Sequence, residues 1–190
     1  MPLLPALEWR TSYRHEDGDL VRGFFIPALS CAVQYDRMTG YFSAETLALA
    51  ARGIHELIRN GGRMRLIVGC TLNAEECEAL EAGYSFRDDP SGYFASEVAR
   101  RLQHISMDPP TENAKEALGG LAWLIANNLL DVKVAVPIDP DSGRPMNAPG
   151  IYHEKVGVIT DVEGNRLCFS GSINETQSGW LNNRESFHVH

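Results

Sequence analysis

The sequence predicts an α/β fold, and three observations predict it. A stretch of helical periodicity ends in a Gly-Gly turn and passes directly into a strand over residues 43–70. A second passage from helix to strand follows over 112–137, and a strand–turn–strand pattern over 151–171. Helices that feed strands through short glycine turns make layered α/β architecture.

The elements follow in order. LVRGFFIPALSCAVQY (20–35) is apolar with Pro27 inside it. Proline lacks an N–H and cannot continue a helix interior, so a short helix broken or kinked near Pro27 and leading to a strand is expected. In DRMTGYFSAETLALAARGIHELIRNGG (36–62), Ser43 is placed to cap a helix whose apolar side is Leu47, Ala51, Ile54 and Ile58. Asn60-Gly61-Gly62 stops that helix, and RMRLIVGC (63–70) follows as a strand with Met64, Leu66 and Val68 on one face. Asn73 opens a second helix to about Gly83, and 90–106 forms a third, with Phe94, Val98, Leu102 and Ile105 on one side. MDPPT ends it, and Thr111 caps a fourth helix over 112–129. Gly119-Gly120 lies inside that helix at a cost of roughly 1 kcal/mol per glycine, which implies close packing or a break there. DVKVAVP (131–137) is a strand. The four-proline stretch PIDPDSGRPMNAPG (137–150) is a surface loop, either a plain connector or a shaper of substrate access.

The 190 residues fit a single domain, 1–190, with a core of ordinary size: 44% of residues are hydrophobic and 22% charged. No apolar run is long enough for a membrane span, and MPLLPALEWRTSYRHEDGD lacks the features of an export signal, so the cytoplasm is the expected location. Cys31, Cys70, Cys77 and Cys168 form no CxxC pair and read as small hydrophobes, so neither a zinc site nor a disulfide is expected. The net charge is −8, and neither residues 1–130 nor 131–190 are basic. A broad electrostatic glove for nucleic acid is excluded, and a polyanion would need a local positive focus, for which Arg63, Arg65, Arg144, Lys155, Arg166 and Arg184 are the candidates.

The chemistry concentrates in IYHEKVGVITDVEGNRLCFSGSINET (151–176). On a strand, His153, Lys155, Gly157 and Ile159 share one face. Glu163-Gly164-Asn165 supplies the turn, and 166–171 returns as the second strand. Ser172 and Glu175 match a capping box for a short helix reaching about Trp180. Each half has an ordinary reading: a basic pair on a strand face, and a helix cap. Together they can make a phosphate cradle. Gly171-Ser172 lets backbone N–H groups approach an anion, the following helix adds its positive end, and Asn174 offers an amide donor. A neutral imidazole beside a lysine can serve as nucleophile or base near neutral pH, so no metal or other cofactor is called for.

His153-Glu154-Lys155, then Asp161, then Gly171-Ser172-Ile173-Asn174 resembles the H-x-K…D…G-S-x-N signature of the phospholipase D superfamily. With YDRMTGYFSAETLALAARGIHELIRNGGRMRLIVG and HEKVGVITDVEGNRLCFSGSINETQSGWLNNRE, most of the chain resembles one branch. That branch is the phospholipase D-like domain at the N-terminus of bacterial helicases and beside some restriction endonucleases. The resemblance implies a central mixed β-sheet flanked by helices on both faces, and a domain that can precede a helicase motor. The chain's end at ESFHVH, on an expected strand, agrees with a longer polypeptide.

It further implies a two-step phosphodiester transfer. His153 attacks phosphorus, and a second histidine protonates the leaving oxygen and then activates water. Lys155 and Asn174 bind the phosphoryl oxygens, Ser172 stands near them, and Glu185 fixes the tautomer of His153. Gly171 and Asp161 are supporting residues. The family spaces lysine and aspartate by four residues; here VGVIT makes five, which a bulge at Gly157 would absorb. No second H-x-K occurs, and His15, His55, His104, His188 and His190 lack the surrounding motif. A homodimer with the active site at its interface is therefore expected. The leading expectation is a DNA-cleaving nuclease tied to a helicase or restriction system. A non-catalytic nucleic-acid-docking or dimerisation module of a helicase is the alternative, and a phospholipase a further one, which lacks a basic amphipathic helix in its support.

Overall fold

The computed structural model describes residues 2–69, 72–88, 112–136, 141 and 152–190. Its strands are β1 (Ser12–Arg14), β2 (Gln34–Thr39), β3 (Arg63–Val68), β4 (Leu130–Val134), β5 (Val156–Thr160), β6 (Arg166–Gly171) and β7 (Ser186–Val189). They form one sheet in the order β1-β7-β6-β5-β2-β3-β4. β2, β3 and β4 run parallel, and every other pairing is antiparallel. The sheet is mixed and the class is α/β.

One face of the sheet is the core face. Tyr35 of β2 is in register with Met64 and Ile159, and these with Leu130 and Leu167. One step along, Arg37 lies beside Leu66 and Gly157, and Gly157 beside Phe169. The next step brings Thr39 beside Val68, and at the other side Gly171 beside Phe187, which pairs with Tyr13. All of these are buried except Gly171. The opposite face carries Asp36, Arg63 and Arg65, with Met38, Val156 and Val158 half-buried.

The α-helices among the described residues are α1 (Ile26–Ser30), α2 (Glu45–Leu49), α3 (Ala51–Arg59), α4 (Ala74–Asp88), α5 (Glu112–Ala126) and α6 (Gln177–Leu181). Phe24, Leu29, Leu57, Leu121, Ile125 and Trp180 join the core-face strand residues in a single hydrophobic cluster. Burying a side chain of this size is worth about 1.5–3 kcal/mol. Trp180 stacks on Phe25 at 3.9 Å between ring centroids, and Phe24 lies edge-on to Phe169 at 5.1 Å. Gly157 has no room for a side chain, because a Cβ there would enter the Phe169 ring.

Several local expectations are corrected. The helix expected after Ser43 is broken at Ala50 into α2 and α3, and the Ser43 hydroxyl accepts from the Gln177 N–H instead of capping. α5 runs unbroken through Gly119-Gly120, and nothing lies within 4 Å of a Cβ at either position, so the pair marks neither a break nor a close approach. Pro27 sits in the first turn of α1, after a π-helical turn at Val21–Phe25. Asn73 caps α4 as expected, through a reciprocal pair: its Oδ1 accepts from the Glu76 N–H at 2.7 Å, and Glu76 Oε2 accepts from the Asn73 N–H at 3.1 Å. α4 extends past Gly83 to Asp88. The third expected helix (90–106) lies outside the described residues, as does the 137–150 loop apart from Val136 before it and Asp141 within it. Among the described residues, no helix is long and apolar enough to cross a membrane.

Candidate active site

The site lies where β2 and β3 end and β5 begins, at the carboxyl ends of parallel strands, where α/β sheets leave an open crevice. Two glycines permit the convergence. Gly69, leaving β3, donates its N–H to the Thr39 carbonyl at 3.1 Å. Gly40, leaving β2, faces residues 152–153: a Cβ on it would lie 3.0 Å from the Tyr152 carbonyl oxygen and 3.2 Å from His153 Cδ2. His153 is thereby laid against the end of β2. Its ring is exposed, meets Tyr41 edge-on at 6.4 Å, and makes no hydrogen bond among the described residues.

Lys155 continues β5 by one residue, its carbonyl accepting from the Gly171 N–H at 3.2 Å. Its side chain is buried and donates from Nζ to the His153 carbonyl at 2.9 Å. Burial lowers its proton affinity below that of an ordinary lysine; Glu185 opposes this, Arg37 adds to it, and Glu154 opposes it. Asn174 Oδ1 accepts from the Tyr41 N–H at 3.2 Å, with Thr39 Oγ1 at 3.5 Å. Its Nδ2 has no hydrogen-bond partner among the described residues. Ser172 is tied to β7: its N–H donates to the Ser186 carbonyl at 2.9 Å, and its hydroxyl accepts from the Ser186 N–H at 3.1 Å. Glu185, half-buried before β7, accepts from Asn183 Nδ2 at 3.2 Å. No hydrogen bond joins Glu185 to His153.

His153, Lys155, Gly171, Ser172, Asn174 and Glu185 thus come together around one end of the sheet, and Asp161 does not join them. Asp161 lies at the far end of β5, buried, where it shapes the β5–β6 turn. Its Oδ1 accepts from the N–H groups of Glu163 and Asn165, and its Oδ2 from Asn165 Nδ2 and the Leu4 N–H, at 2.9–3.0 Å. Burial pushes its carboxyl up, but the hydrogen bonds from Asn165, Leu4 and Glu163 outweigh it and hold the group below the usual carboxylate range. The expected bulge at Gly157 is absent: β5 stays in continuous register with both β2 and β6. The extra residue is instead accommodated by carrying the buried series Gly157, Ile159 on to Asp161.

The expected capping box is corrected too. Residues 172–175 are not helical; α6 begins at Gln177 and is capped by Thr176, whose Oγ1 accepts from the Gly179 N–H at 3.1 Å. Among the described residues, no helix begins at Gly171-Ser172. Glu175 turns into the core, accepting from Tyr35 Oη at 3.1 Å and Arg37 Nε at 2.9 Å. Burial pushes its carboxyl up, against the Arg37 charge and these bonds. Arg37 also donates to the Ile173 carbonyl, and Thr39 Oγ1 accepts from the Glu175 N–H at 3.0 Å. The sequence reading missed this group. Its signal was alternation: Arg37 and Thr39 share the strand face of Tyr35, so a charge stands at a core position and requires a buried partner.

Among the described residues the expected positive focus does not form. Arg63, Arg65 and Arg166 are exposed on the sheet face opposite Lys155, Arg65 pairs with Asp36 at 2.6 Å, and Arg184 lies 3.8 Å from Glu16. Arg144 is outside the described residues.

No protein-family model matches the chain, and no curated protein does. Solved structures with a similar fold include NucT from Helicobacter pylori, 15% identical, with a TM-score of 0.47 over 94% of this chain and 82% of that one. They also include Nuc from Salmonella typhimurium, a phospholipase D family member, 16% identical, with a TM-score of 0.47 over 94% of this chain and 79% of that one.

Proposed function

We propose that this chain is a phosphodiesterase of the phospholipase D type, a nuclease that cleaves DNA without a metal ion. The observation that carries the reading is the state of His153: an exposed imidazole without a hydrogen bond, anchored against Gly40 beside a buried lysine and an amide with free N–H groups. A ring nitrogen of His153 attacks phosphorus, forming the N–P bond as the P–O bond to the leaving strand breaks. Lys155, with one of its ammonium donors on the His153 carbonyl, directs the others to the phosphoryl oxygens with Asn174 Nδ2. Ser172 and the Gly171 backbone border the same space. Glu185 is assigned to accept from the far ring N–H of His153, which requires its carboxylate to leave Asn183, its partner in this structure.

The leaving oxygen needs a proton, and water must then be activated to break the N–P bond. A second His153, from another copy of the chain across a two-fold axis, supplies both steps. In EDTA the wild-type protein is expected to nick DNA, and His153→Ala to lose turnover by several orders of magnitude, since the nucleophile is gone. Equal cleavage by both proteins would end the reading, and a monomer by light scattering would end its two-chain form. Attachment to a helicase or restriction system belongs to the same proposal.

The scatter of Arg63, Arg65 and Arg166 onto the opposite face favours a second reading, a docking or dimerisation module with a silent site. DNA binding without cleavage in both proteins would select it.

A further inference from the structure

Arg37 is the largest charged side chain in the core. It is 1% exposed, and its partner Glu175 is 3% exposed. Taking two charges out of water is costly, and apolar residues of similar volume often serve stability as well or better. The pair therefore calls for an account beyond stability. Its position supplies one. The guanidinium lies 5.0 Å over the Phe169 ring, one step along the sheet from Lys155, and acts electrostatically on that lysine. It grips the Gly171–Glu175 segment at two points, the Ile173 carbonyl and the Glu175 carboxylate. Glu175 in turn is held to the chain leaving β2 through Thr39 Oγ1 and the Ser43 N–H. Asn174 sits between the two gripped residues. Nη1 of Arg37 is buried with no hydrogen-bond partner among the described residues.

We propose that Arg37 is a positioning residue of the active site, clamping the Gly171–Glu175 segment so that Asn174 faces His153 and setting a fixed positive charge beneath Lys155. This rests on the phosphodiesterase reading for its consequence in turnover, but not for its electrostatic part. Among the described residues, the charged groups acting on Lys155 are Arg37 from β2, Glu185 from the segment before β7, and Glu154 beside it; the His15 N–H donates to the Glu185 carbonyl. Removing the Arg37 cation should move the Lys155 titration to higher pH.

The chain has three lysines, Lys115, Lys133 and Lys155, so isotope-labelled lysine gives three resolvable NMR titrations, that of Lys155 assigned by its loss in Lys155→Met. Arg37→Met alone strands Glu175 and can unfold the protein, so Arg37→Met/Glu175→Gln is the working variant, with Arg65→Met on the opposite face as control. In the double variant the Lys155 midpoint is expected to rise, and Arg37→Lys to leave it near wild type. With bis(p-nitrophenyl) phosphate in EDTA, kcat of the double variant should fall at least about tenfold while KM changes by less than about threefold. A folded double variant with wild-type Lys155 midpoint and wild-type kcat overturns the proposal. A wild-type protein that hydrolyses nothing overturns the phosphodiesterase reading instead, and the Lys155 midpoint then decides the role of Arg37 by itself.

Discussion

Asp161→Ala separates structure from chemistry in this chain. The carboxylate accepts from the backbone N–H groups of Leu4, Glu163 and Asn165 and from the Asn165 side chain. A hydrogen bond to a charged group is worth about 1.5–3 kcal/mol, and the four share one carboxylate and are not additive. We expect a loss of about 3–5 kcal/mol, a large part of the 5–15 kcal/mol typical of a domain. Asp161→Asn, which keeps one acceptor oxygen, should lose less. Urea unfolding at pH 7 reads both. The pH dependence has a definite sign. The folded carboxyl is held below its ordinary value, so its stabilisation is fully present above the unfolded pKa of about 3.9 and lost as pH falls through the folded value. Wild type and Asp161→Asn should therefore converge in stability under acid. Turnover per folded molecule should not change, because the five residues of β5 separate Asp161 from Lys155 by roughly 20 Å of strand. An unchanged urea midpoint in Asp161→Ala would refute the structural role. So would a folded protein whose turnover drops by orders of magnitude.

Two further substitutions test the frame of the site. Gly171→Ala would drive a Cβ into the Ser186 carbonyl and the Phe187 Cα, backbone atoms that cannot turn aside, and should cost at least about 3 kcal/mol with loss of β7 amide protection in hydrogen exchange. Thr176→Ala removes the cap of α6 and should cost about 1 kcal/mol in thermal or urea unfolding, whereas Ser172→Ala, at the cap position suggested by sequence, should leave α6 intact.

What the sequence could and could not reveal follows from where each partner lies along the chain. The patterns Asn73-x-x-Glu76 and Ser172-x-x-Glu175 look alike as helix starts, yet only the first is one. At Asn73 the satisfying partner is three residues away, inside any local window. At Glu175 the deciding partner is Arg37, 138 residues earlier, and a buried guanidinium outcompetes a capping role because leaving it unpaired costs several kcal/mol. The same logic explains the rest of the site. That His153, Lys155 and Asn174 gather at one end of the sheet was legible because each lies within three residues of a strand of the β5–β6 hairpin, but the shared strand face expected for His153 and Lys155 is not kept: residues 152–155 precede β5, with His153 exposed and Lys155 buried. The focus of arginines failed because single exposed charges have no parity constraint, and the sheet register set Arg63, Arg65 and Arg166 on the other face. Arg37 was readable in principle by a stricter rule. Tyr35, Arg37 and Thr39 alternate on the face that the neighbouring Met64, Leu66 and Val68 mark as core, so the chain had to contain a buried anion to meet Arg37. A Glu directly after a G-S-x-N turn, on a segment that must return to the end of the same strand, was the candidate that met both needs.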